Sequence, residues 1–96
     1  MKQEIMEVRL FGTLRGFAGA KAIEVETEPG DTVESLLHRV TVQCPPLREK
    51  IFDEEGDLQR SLHVLVNGRS IRYLEGLDGL VAEGDRVALF PAVGGG

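Results

Sequence analysis

The residues best placed to carry out chemistry stand at the end of the sequence, which reads VALFPAVGGG. Gly94, Gly95 and Gly96 follow a strand-like run and a proline. Glycine loses more conformational freedom on ordering than other residues, and chain ends are often disordered, so one interpretation is an inert leftover. The alternative is a reactive end, because an α-carboxylate is ionised at neutral pH and is a poor electrophile until it is activated.

The other reactive side chains do not form a recognisable site. His38 and His63 have no second ligand at metal spacing, so we expect no metal site. The single cysteine, Cys44, excludes an internal disulfide, and its spacing favours a small core residue at a helix end. No serine lies in a nucleophile elbow, and the early glycines lack the spacing of a phosphate loop. The sequence therefore predicts no bound cofactor and leaves the tail as the candidate.

Two alternating runs near the start predict a β-hairpin. Residues 4–11 and 21–28 both alternate apolar and charged residues, and the glycine-rich GTLRGFAGA between them indicates a loop. The inward side chains are expected to be Met6, Val8, Leu10, Ile23, Val25 and Thr27. The acidic second run is typical of a sheet edge.

The run PGDTVESLL predicts the start of the main helix. Asp31 or Thr32 can cap it, and Glu34 can complete a capping box. The apolar positions at helical spacing are Val33, Leu36, Leu37, Val40 and Cys44. Pro45 and Pro46 end the helix. A further short turn would point Leu47, Ile51 and Phe52 inward.

The second half of the sequence predicts a short hairpin and a last strand. LHVLVNGRSI contains Asn67-Gly68, a strong hairpin signal, and RVALFP is the last strand. Since neither the helix nor the strands can bury their apolar stripes alone, the pattern predicts an α+β domain. We expect a mixed sheet of four to five strands, covered on one face by one main helix.

The composition and the net charge limit the classes of partner that this chain can have. The 96 residues fit one domain, and 16 acidic against 11 basic residues give a net charge of −5. Phosphate binding needs clustered cations, so we expect no nucleic-acid partner. No apolar run approaches the roughly 20 residues of a membrane span, and the start lacks a signal-peptide core. We expect no membrane partner and a cytoplasmic protein.

Four segments, in order, carry a resemblance: VRLFGTLRGFAGA, VNGRSI, EGD and ALFPAVGGG. From about Met6 to Gly96 the chain resembles the small sulfur-carrier subunit of molybdopterin synthase. The family tail reads Phe-Pro-Pro-Val-x-Gly-Gly, and this chain departs from it at Ala92 and Gly94. The resemblance implies a β-grasp, or ubiquitin-like, domain over residues 1–91, with parallel first and last strands. Residues 92–96 would form a flexible C-terminal tail.

The resemblance also implies the chemistry and the partners. An E1-like adenylating enzyme would use ATP to convert the Gly96 carboxylate into an acyl-adenylate, and Gly94 and Gly95 would let the tail thread into that enzyme. A persulfide donor protein would then supply sulfur to give a thiocarboxylate. The molybdopterin synthase large subunit would hold the pterin precursor that receives the sulfur. The chain alone would contribute no catalytic group.

The residues before the glycines are the expected partner contacts. Phe90, Pro91 and Val93 would leave apolar side chains at the root of the tail, and exposed apolar patches often mark interfaces. Pro91 would stiffen the exit of the chain. For Phe90, ordinary core packing is an equally good interpretation.

Other functions with the same ending remain open. Thiazole-forming sulfur carriers look similar but usually lack the segment that spans about residues 45–60 here. A ubiquitin-like modifier would join Gly96 to lysine amines, and a tRNA-thiolation carrier would use the same diglycine. A further alternative is a plain β-grasp interaction module with an inert tail.

Overall fold

The computed structural model describes residues 4–74 and 76–91, the side chain of Tyr73 excepted. The strands are β1 (Glu4–Leu10), β2 (Ala22–Thr27), β3 (His63–Val66), β4 (Arg69–Ser70) and β5 (Val87–Phe90). The α-helices are α1 (Leu14–Ala18), α2 (Val33–Gln43) and α3 (Arg48–Ile51). Short 3₁₀ turns cover Pro45–Leu47, Ile71–Tyr73 and Gly76–Asp78.

The five strands form one mixed sheet in the order β2-β1-β5-β3-β4. β1 and β5 lie side by side and parallel, and the other pairs are antiparallel. This is the β-grasp arrangement, and it confirms the expected parallel pairing of the first and last strands. β2 is an edge strand, as its acidic pattern predicts.

The segment between β1 and β2 is not the plain loop that its glycines indicate. Residues Leu14–Ala18 form the one-turn helix α1. Leu14 is almost fully buried and anchors this turn in the core. Gly19, at φ +70°, closes it by donating its N–H to the Arg15 carbonyl. Burial of one leucine therefore decides the local structure here.

The N-cap of α2 lies one residue later in the chain than a capping box with Glu34 would require. Thr32 is the N-cap, and its Oγ1 accepts the Ser35 N–H at 3.2 Å. The Ser35 Oγ accepts the Thr32 N–H at 3.0 Å and completes the capping box. The prediction that Glu34 closes the box is therefore wrong, because Thr32 rather than Asp31 is the N-cap.

The core lies between α2 and the sheet face that α2 covers. The buried side chains of α2, the following turn and α3 include Val33, Leu36, Leu37, Val40, Leu47, Ile51 and Phe52. Cys44 packs against this core but is only half-buried. His38 is exposed, and its ring stacks on Phe52 at a centroid distance of 4.4 Å.

The opposite side of the sheet, called the outer face below, carries the alternate residues. In the helices of residues 4–74 and 76–91, none is long and apolar enough to cross a bilayer.

Candidate functional site

Two aromatic rings mark the point where β5 ends. Leu10 and Leu89 are register partners in the parallel pair, and both are buried. The residues that follow them in the chain, Phe11 and Phe90, therefore point to the outer face. Their rings stack with centroids 4.2 Å apart and planes inclined by 6°. Both rings are half-buried, so they present apolar surface to a partner.

Arg15 holds this pair from the side. Its Nε donates to the Leu10 carbonyl at 2.6 Å, and its guanidinium carbon lies 5.0 Å from the Phe11 ring centroid. Cation–π contacts of this kind contribute about 0.5–1 kcal/mol at exposed sites. The aromatic pair is thus fixed by a backbone bond and a cation, which leaves the Phe90 ring a defined position.

Pro91 is held by a glycine. A Cβ built on Gly12 would lie 2.9 Å from Cγ of Pro91, closer than ordinary carbon contacts allow. Gly12 also has φ +58°, a left-handed conformation that favours glycine. The Phe11 N–H donates to the Leu89 carbonyl at 3.1 Å, which extends the ladder to the same point. We call Phe11, Gly12, Phe90 and Pro91 the tail root.

Substitution of Gly12 should disturb the tail root more than the fold. Gly12→Ala and Gly19→Ala each place a side chain at positive φ, which costs about 1 kcal/mol. Only Gly12→Ala also meets Pro91, so we expect it to lose roughly a further 1 kcal/mol by overpacking. Equilibrium denaturation of the two variants measures the difference. Equal losses would contradict a tight Gly12–Pro91 contact.

A small polar groove lies beside Pro91. Its volume is about 180 Å³, and its lining includes the hydroxyl residues Thr13 and Ser61 together with Glu49 and Lys50. Lys50 Nζ also lies 4.5 Å from the ring centroid of Phe17, which is 44% exposed. The groove offers hydrogen-bonding groups where the chain leaves the sheet.

An apolar cavity lies elsewhere, and the described residues of its lining carry no reactive group. It measures about 400 Å³ beside the N-terminus of α2, and Val33, Val66, Ile71 and Leu80 are among its residues. In residues 4–74 and 76–91, no three His, Cys, Asp or Glu residues come together as metal ligands. The geometry of the described part offers surfaces rather than an acid–base site.

Of the expected site residues, the structure describes Phe90 and Pro91. Phe90 lies on the outer face, so its interpretation as a core residue is wrong, because it alternates with the buried Leu89. Pro91 is half-buried against Gly12. Val93, Gly94, Gly95 and Gly96 lie outside the described residues, as does the proposed tail as a whole.

The sequence led us to expect no site role for Phe11 or Gly12. The signal was present, since Phe11 continues the odd-numbered outward positions of β1. Strand alternation alone places it beside Phe90 once β1 and β5 are known to be parallel neighbours.

Comparison with known proteins finds the ThiS family over residues 8–96. Small archaeal modifier protein 1 of Haloferax volcanii is 34% identical over 95% of this chain and all of its own length. Its crystal structure superposes with a TM-score of 0.88 at 33% identity, covering 97% of this chain and 100% of that chain.

The chain is also similar to two proteins with names other than modifier. A putative sulfur carrier protein of Archaeoglobus fulgidus is 46% identical over 81% of this chain and 85% of its own length. A putative molybdopterin converting factor, subunit 1, from Pyrococcus furiosus has a TM-score of 0.74 at 27% identity, covering 93% of this chain and 98% of that chain.

Proposed function

The chain belongs to the ThiS family of ubiquitin-like sulfur carriers and modifiers, and on that premise we propose that the Gly96 carboxylate carries sulfur as a thiocarboxylate. The tail root supports this proposal. Phe90 and Pro91 are the last described residues before the glycines, and both are fixed by packing against Phe11 and Gly12. A rigid root lets a partner locate a reactive end that has no side chains of its own.

The reaction has three steps, and the first of them activates the carboxylate. A Gly96 carboxylate oxygen attacks the α-phosphorus of ATP on an adenylating enzyme, and pyrophosphate leaves. The terminal sulfur of a persulfide donor then attacks the carbonyl carbon and displaces AMP, which forms an acyl disulfide. A thiolate then attacks the sulfur that belongs to the donor protein and forms a new disulfide with it. The transferred sulfur leaves with the S–S electron pair as the thiocarboxylate.

The chain's own contribution is recognition. The outer face beside Phe90 carries His63, Ala88 and Leu65, which follow from the strand register. Phe90 and Ala88 are half-buried, and Leu65 adds a third partly exposed apolar side chain. An apolar surface of this kind at the tail root suits docking to the adenylating enzyme and to the sulfur acceptor.

Molybdopterin synthesis is the acceptor pathway that we propose. The tail motif resembles that of the small subunit of molybdopterin synthase. The likeness to a converting factor named subunit 1 supports the same pathway and a partner chain. In this pathway the thiocarboxylate sulfur passes to a pterin precursor that a large subunit holds.

Protein modification is the second candidate. The match to small archaeal modifier protein 1 spans nearly both chains, which favours it. In that case the activated Gly96 carbonyl meets a lysine amine, an isopeptide bond forms and AMP leaves. Both candidates share the adenylate and differ in the nucleophile.

Intact-mass measurement separates the candidates. We expect the chain, incubated with an adenylating enzyme, ATP and a persulfide donor, to gain the mass of one oxygen-to-sulfur exchange. Higher-mass conjugates on a denaturing gel, with no such mass gain, would favour the modifier. An unchanged mass and no conjugates would contradict both.

A further inference from the structure

The outer edge of β2 is open. In the β1–β2 pair, the Leu10 N–H donates to the Lys21 carbonyl at 2.9 Å. The backbone N–H and C=O groups of every second residue from Lys21 onward therefore point to β1. The backbone groups of Ala22, Glu24 and Glu26 therefore point away from the sheet. Among the described residues, β1 is the single strand neighbour of β2.

One side chain already bonds to this edge. Gln43, the last residue of α2, donates from Nε2 to the Glu24 carbonyl at 2.8 Å. The amide of an added strand would donate to the same carbonyl, because strand addition uses these outward backbone groups. Gln43 therefore stands in the place of one backbone amide, and rotation of its side chain would release the carbonyl.

A groove follows the edge between β2 and α2. Its volume is about 590 Å³, and its lining includes Ile5, Val25, His38 and Val42. Val42 is 80% exposed and Ile5 is 61% exposed, which is unusual for large apolar side chains. The open backbone edge is thus flanked by apolar surface.

The charge along this edge is unbalanced. Glu24 lies directly opposite Glu7 in the β1–β2 register, and like charges in that position repel. Arg9 lies 4.0 Å from Glu7 and compensates it in part. Arg39 also lines the groove, but its Nε lies 3.4 Å from Asp31 and is already paired. Among the described groups of the groove, Glu24 and Glu26 therefore remain to attract a cation.

We propose that this edge docks an extended, basic segment of a partner protein as a sixth strand. Residues of that segment opposite Glu24 and Glu26 would point to the outer face, where Lys or Arg meets the carboxylates. The residues between them would point to the α2 side and contact Val42. A second copy of this chain fits poorly, because it would bring its own Glu24 and Glu26 to the same carboxylates.

This surface is separate from the tail root. β1 lies between β2 and β5, so a strand added to β2 leaves the Phe90 ring uncovered. The chain can therefore be held at one edge while Gly96 reacts elsewhere. The inference needs no activated tail, so its failure would leave the sulfur-carrier proposal untouched.

Peptide titration tests the proposal with the unmodified full chain. The probe is a labelled peptide of sequence Lys-Val-Lys-Val-Lys-Val-Lys, and the control peptide carries backbone N-methyl groups on the central valine and on the lysine before it. We expect the probe to shift the NMR amide signals of Ala22, Glu24 and Glu26. The control peptide should lose this binding, because the two N-methyl groups remove an N–H donor to β2 whether the added strand runs antiparallel or parallel. Shifts centred on Phe90 instead, or none at all, would overturn the proposal.

Charge and edge variants sharpen the test. Glu24→Lys with Glu26→Lys should weaken the probe about tenfold, since two or more rim ion pairs are lost or reversed. Glu54→Lys with Glu55→Lys makes the same change in net charge at an exposed turn and should have much less effect. Gln43→Ala should tighten binding about threefold by freeing the Glu24 carbonyl. Equal weakening by both charge pairs, or self-association of the Gln43 variant without peptide binding, would refute it.

Discussion

Removal of Gly96 is expected to abolish thiocarboxylate formation while the thermal midpoint stays unchanged. The reacting carbon in the proposed mechanism is the carbonyl of Gly96, and truncation moves the chain end back by one residue. The adenylating enzyme must bring that end to the α-phosphorus of ATP, and a misplacement of about 1 Å can cost on the order of 100-fold in rate. Intact mass after the sulfur-donor reaction, and thermal unfolding of the same sample, measure the two effects.

A second glycine variant controls for the removal of a glycine as such. Gly16→Ala lies in α1, where an added Cβ meets nothing within 4 Å. It should keep the mass gain, and its thermal midpoint should not fall, because alanine is favoured over glycine in helices. Sulfur uptake by the chain that lacks Gly96 would sink the proposed mechanism.

Phe90→Ala is expected to weaken binding to the adenylating enzyme by about 30-fold or more. Buried aromatic anchors at interfaces often contribute at least about 2 kcal/mol, which corresponds to that factor. The Phe90 ring is half-buried and held by Phe11, so its position is fixed before any partner arrives. Loss of the stacked pair should destabilise the fold by only about 0.5–1.5 kcal/mol.

Phe17→Ala is the matched control for this experiment. Phe17 is also a partly exposed phenylalanine, but its ring contacts Lys50 rather than Phe90. Its removal should leave the dissociation constant within a few-fold of the parent value. Calorimetric titration of both variants measures the affinities. Similar losses for the two would mean that the tail root has no special part in docking.

Much of the fold follows from alternation and helical spacing. Met6, Val8 and Leu10 face the core because they alternate with charged residues, and Asn67-Gly68 turns the second hairpin with both residues at positive φ. These patterns are local, and the sequence displays them directly.

The tail root was harder to predict because it depends on two segments far apart in sequence. Phe11 and Phe90 meet only because β1 and β5 are parallel neighbours, and the strand order rested on a resemblance. In the sequence, Gly12 indicates only a turn. Its close contact with Pro91 depends on the three-dimensional fold. The capping error at Glu34 has a smaller cause, a shift of one residue in the helix start.

The central position of β5 has a mechanical consequence. β5 is hydrogen-bonded to β1 on one side and to β3 on the other. These backbone hydrogen bonds run roughly perpendicular to the strand. A pull on the chain beyond Pro91 therefore loads both rows of bonds in shear at once, rather than opening them one after another. An enzyme that draws this chain end into a tunnel can exert force on it without peeling the sheet apart.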